Sequence, residues 1–108
     1  DVSGEGLTDR DGTVKIGEDA FSSPAWLASS IGHEIVHAEQ GRDGRWNDTR
    51  QGVAMNEVEA YDWELARVDE FGLSTEERAT LARRRETKFG RLNTINAMLA
   101  AAGNYKIP

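Results

Sequence analysis

Ser22-Ser23-Pro24 opens, and His33-Glu34-Ile35-Val36-His37 occupies the middle of, a segment that reads as one long helix. Ser23 is of the type that caps exposed N–H groups, and Pro24 falls at the first helical position, where its missing donor leaves nothing unsatisfied. The helix is predicted to run to about Gln40, with Gly41 as its left-handed cap and residues 41–48 as a loop. Leu27, Ile31, Ile35 and Ala38 recur at helical spacing and are predicted to face the core. His33 and His37, the only two histidines, then point the other way, toward a cleft.

Upstream, Thr13-Val14-Lys15-Ile16 alternates with period two between Gly12 and Gly17, as a short half-buried strand does. Asp11-Gly12 is a turn signal, with Leu7-Thr8 as the hairpin partner. Downstream, Val58, Tyr61, Leu65 and Val68 make one apolar stripe, which predicts a second helix from about Met55 to Glu70, ended by Gly72. Ser74-Thr75-Glu76-Glu77 has capping-box form and starts a third helix with the stripe Leu81, Phe89, Leu92, Ile95 and Leu99, open to a break near Gly90. The expected fold is α+β and mostly helical: a short N-terminal strand or hairpin, the histidine helix, a glutamate helix and one or two C-terminal helices.

With 108 residues and 38% hydrophobic content the chain has enough for one core, so residues 1–108 are read as a single domain. A formal charge of −6 argues against nucleic acid as a partner. No apolar run approaches the length of a bilayer span, so no membrane insertion is expected. The absence of cysteine leaves His, Asp and Glu to bind any metal. An Asp at position 1 is read as the mark of an excised domain or processed product of a larger protein, whose targeting is not written in this stretch.

Two histidines four apart on a helix stand one above the other, within reach of one zinc ion. Glu34, one residue after the first, is placed to take a proton from an attacking water without being the obvious ligand, which is the logic of an HExxH helix. A third ligand is expected from the next helix, where Glu57 and Glu59 lie 20 and 22 residues beyond His37, on opposite edges of the apolar stripe. Periodicity does not choose between them.

At this point the chain resembles the gluzincin metallopeptidases over roughly residues 13 to 70, and Asn56-Glu57-x-x-Ala60 is similar to their glutamate-helix segment. The resemblance implies a minimal zincin-like fold, zinc held by His33, His37 and Glu57, Glu34 as general base, and a protein or peptide substrate. Four residues after Glu57, where many members of that family carry an acid that orients a histidine, stands Tyr61, with Asp62 the nearest acid. Stabilisation of the reaction intermediate would fall to a Tyr, Arg or Asn, with Tyr61 and Tyr105 as candidates. Ile31-Gly32-His33-Glu34 together with Asn56 to Tyr61 also resembles the small metallopeptidase domains at the carboxyl ends of bacterial polymorphic, Rhs-type toxins. That resemblance implies a secreted or delivered effector and a cognate immunity protein as partner.

Of the remaining features, Arg83-Arg84-Arg85 reads as a solvated face, because consecutive helical residues point in three directions. Trp26 and Trp46 are each open to a place in the cleft or in packing. The leading functional expectation is a zinc-dependent metalloendopeptidase whose strand at Thr13 to Ile16 binds extended substrate by strand addition. The alternative is a non-enzymatic interaction module, with the metal stapling the helices through a fourth ligand, Asp62 or Glu59, or with a vestigial site. Hydrolysis of a non-peptide amide stays open beside these.

Overall fold

The computed structural model describes residues 4–9, 11–45 and 49–101. The chain opens on an antiparallel hairpin in which β1 (Gly6–Thr8) pairs with β2 (Val14–Ile16), Leu7 opposite Lys15. Gly12 turns the chain at φ 88°, a left-handed angle that residues with a side chain avoid. Gly17 N–H donates to Glu5 O and Asp9 N–H to Thr13 O. Glu5, Leu7 and Asp9 therefore spend their backbone groups on β2, and Gly6 and Thr8 turn theirs to the open edge.

After a 3-10 turn at Glu18–Ser22, helix α1 spans Pro24–Arg42. Ser23 caps it as expected, accepting from Trp26 N–H at 2.9 Å, and its hydroxyl also donates to Glu77 at 2.7 Å, joining the starts of two helices. The helix continues through Gly41, and the left-handed glycine at its end is Gly44 (φ 72°). Helix α2 spans Arg50–Leu65, earlier than the predicted start at Met55, because the Thr49 side chain caps it by accepting from Gly52 N–H at 3.0 Å. The predicted run to Glu70 is broken after Leu65, and the short α3 (Val68–Phe71) ends at Gly72 (φ 74°). Ser74 and Glu77 form the capping box, at 2.8 and 3.0 Å, and α4 runs unbroken from Thr75 to Ala101 through Gly90. No helix among the described residues is long and apolar enough to cross a membrane.

The apolar core joins Trp26, Tyr61, Leu73 and Leu81, with Ala25, Leu65, Val68 and Phe71 against it. Only Leu81 of the predicted α4 stripe is buried; Phe89 is exposed and the rest are half-buried. The predicted core face of α1 is corrected outright: Ile35 is 46% exposed, while His33, Glu34 and His37 are buried. The physical reason is what stands opposite. Helix α2 crosses α1 where Trp63 lies against Gly32, so closely that a Cβ at Gly32 would fall inside the Trp63 ring. That crossing encloses Ser29, His33, His37 and Gln40 with Asn56 and Glu64, a layer joined by hydrogen bonds instead of apolar contact.

Candidate metal centre

The crossing of α1 and α2 brings Glu57 over the two histidines. His33 Nε2 and His37 Nε2 are 3.1 Å apart; Glu57 Oε1 lies 3.2 Å from the first and in closer contact with the second. One donor atom from each residue fits within 4.8 Å, making this the metal-competent cluster among the described residues. Glu59, the rival, turns the other way: it accepts from Gln40 at 2.8 Å and from Arg45 at 2.8 and 2.9 Å. Asp62 bonds Arg85 at 2.9 Å and does not join the cluster either.

The hydrogen bonds behind the histidines set their tautomers. Gln40 Nε2 donates to Asn56 O (3.0 Å) and to Glu59, so Gln40 Oε1 is the atom that faces His37 Nδ1 at 2.8 Å. His37 must donate there, which leaves its Nε2 a lone pair. His33 Nδ1 likewise donates to Glu64 Oε2 at 2.8 Å, and Ser29 Oγ holds the other oxygen of Glu64. Two imidazole lone pairs and a carboxylate oxygen then converge on one point, and that convergence requires a positive charge. A proton can supply it. Burial works to lower the His33 pKa, but the hydrogen bonds to Glu57 and Glu64 outweigh burial and raise it to about 10. Burial works to raise that of Glu57, yet the two histidines hold its carboxyl well below the usual carboxylate range. A metal cation is the other charge that this group of two nitrogens and one oxygen could hold, with His33 oriented from behind by Glu64 and His37 by Gln40.

Glu34 stands beside the cluster and outside it. Thr8 Oγ1 lies 2.8 Å from Glu34 Oε1 and 2.8 Å from its backbone oxygen, tying the carboxylate to β1. Gly6 makes the approach possible, since a Cβ there would meet Glu34 Cγ at 2.9 Å. The strand whose residues line the site is β1, and Thr13 to Ile16, expected to bind extended substrate, contains β2, which pairs with it in the hairpin.

Two cavities flank the cluster. One of about 200 Å³ is walled by Trp26, Tyr61, Glu5 and Arg84; one of about 230 Å³ is walled by Leu7, Thr8, Val53 and Asn56. Trp26 therefore serves both core and cleft. Tyr61 meets the His33 ring edge-on with centroids 4.6 Å apart, and burial, with the charge of Glu57, pushes its hydroxyl up to about 12, so it stays a donor. Arg84 corrects the solvated-face reading of the arginine run: it bonds Glu5 at 2.8 Å, faces the Tyr61 hydroxyl and stands 5.4 Å from the Trp26 ring centre. Sequence reasoning also missed Glu64 and Gln40. A signal for Glu64 existed, since Glu57, Tyr61 and Glu64 share one edge of α2. Trp46 and Tyr105 lie outside the described residues.

The chain matches no family model, no curated protein and no solved structure.

Proposed function

We propose that this chain is a zinc-dependent peptidase with a minimal zincin-like arrangement, in which His33, His37 and Glu57 hold the metal. The observation that carries the reading is the convergence of the His33 and His37 Nε2 atoms and one Glu57 carboxylate oxygen, beside a fourth group, Glu34, that is tethered but not spent on the cluster. Zinc, held by His33, His37 and Glu57, would supply Lewis acidity to a substrate carbonyl. Glu34 takes the proton of the attacking water on its carboxylate and returns it to the leaving amine. Thr8 keeps that carboxylate aimed at the cleft. Gly6 and Thr8 turn their backbone groups away from β2, to the edge of β1 where an extended substrate main chain can add as a third strand. Tyr61, protonated and next to His33, is the donor placed to meet charge developing on the carbonyl oxygen. The resemblance to polymorphic-toxin domains belongs to the same reading and would make the substrate a protein of a target cell. Against a structural staple stands the engagement of Asp62 and Glu59 elsewhere, which leaves three protein ligands.

Elemental analysis of protein purified without chelator is expected to give about one zinc per chain. In an unbiased protein-cleavage screen, Glu34→Gln is expected to keep its zinc and lose on the order of 10²-fold or more in rate. Metal content near zero after zinc soaking, or full cleavage by Glu34→Gln, would overturn the reading.

A further inference from the structure

We infer that the cleft continues past the histidines into a binding groove for an extended polypeptide rich in apolar and acidic side chains, seated between α2 and the second half of α4. This rests on the peptidase reading for its orientation but on separate residues for its chemistry. The two cavities flanking the metal donors share His33, Glu34 and Glu57. The second of them shares Val53 and Lys88 with a groove of about 750 Å³ that runs along α4 from Thr87 to Met98. The groove and the site cavities are thus neighbours that share walls.

The groove's chemistry names its occupant. Its apolar floor includes Val53 and Ile95, and Met98 is 66% exposed. Arg50, Lys88 and Arg91 stand around it, and among the described residues none of the three is paired with a carboxylate, whereas Arg45, Arg78, Arg84 and Arg85 all are. On a chain of net charge −6 this is a local excess of uncompensated cations beside apolar surface, complementary to glutamate or aspartate interleaved with apolar residues. A polypeptide fits better than a lipid, because the open edge of β1 between the cavities offers main-chain donors and acceptors. Asn56 Nδ2 adds another donor in that stretch, buried and without a hydrogen-bond partner. From Thr87 to Met98 the helix rises about 16 Å, the length of about five extended residues. The Arg84 side is small by comparison, so the substrate makes most of its side-chain contacts on the groove side of the scissile bond.

The test uses the zinc-loaded full chain carrying Glu34→Gln, and a fluorescein-labelled 12-residue peptide of alternating leucine and glutamate, with its leucine–lysine counterpart as control. Anisotropy is expected to show binding of the acidic peptide alone, weakened about tenfold or more by Lys88→Glu with Arg91→Glu, and again by Met98→Glu. These are surface positions, and zinc content checks that the variants are folded. Equal binding of the two peptides, or indifference to the groove substitutions, overturns the inference. Groove-dependent binding by a chain whose protein cleavage survives Glu34→Gln keeps the groove and removes the peptidase reading; Glu34-dependent cleavage indifferent to the groove substitutions does the reverse.

Discussion

At His33 a proton and a metal ion compete for one lone pair. The pKa of about 10 means that the metal-free site holds that proton throughout the neutral range. On the proposed reading zinc would have to displace it, so binding is expected to release about one proton per ion, and apparent affinity to rise roughly tenfold per pH unit from about 7 toward 10. The sign follows from the raised value: more protons favour the metal-free state, fewer favour the complex. Chelator competition across that range, or calorimetry in buffers of different ionisation enthalpy, measures it; an affinity flat with pH would mean that the proton sits elsewhere. Single residues were legible in the sequence where spacing along one helix suffices, as for His33 and His37, which the structure brings together. Glu57 over Glu59 needed a family likeness, because their edges of α2 differ only in what crosses them. Gln40, Glu64 and Arg84 act through partners on other turns or helices, which local spacing does not specify.

Between elements, the crossing at Gly32 sets the site. An exposed helical glycine replaced by alanine ordinarily gains up to about 1 kcal/mol, and Gly90, where an added Cβ would meet nothing within 4 Å, is the matched control. At Gly32 the added methyl would enter the Trp63 ring and push α2 from α1, carrying Glu57 off the histidines. Gly32→Ala is expected to lose about 1–3 kcal/mol of stability and to weaken zinc binding while Gly90→Ala does neither, read by thermal denaturation and chelator competition. A Gly32→Ala chain as stable and as zinc-avid as wild type would show that the crossing does not position the ligands. The starts of α1 and α4 were legible because Ser23 and Ser74 act locally, whereas the Thr49 cap that starts α2 was not read. The buried face of α1 was not: hydrophobic periodicity assumes that burial is apolar, and here Ile35 faces out while a hydrogen-bonded face turns in.

Across the whole molecule, 48 × 32 × 23 Å, composition reported how much apolar matter exists and not where it goes. The predicted mostly helical α+β architecture holds, with a two-stranded hairpin and four helices among the described residues. Beyond Leu81, the apolar stripe of α4 stays at or near the surface. The layer between α1 and α2 has a further consequence in heat capacity. Exposing apolar surface raises the heat capacity on unfolding and exposing polar surface lowers it. Because Ser29, Ser30, His33, Glu34, His37, Gln40, Asn56 and Glu64 are buried alongside a small apolar core, the heat-capacity increment is expected to fall below the roughly 1.2–1.5 kcal/mol/K of an ordinary 100-residue domain. Scanning calorimetry decides the point, and a full-sized increment would contradict it. A small increment flattens the stability curve, so that over the range of ordinary growth temperatures the folded fraction responds weakly to warmth or cold.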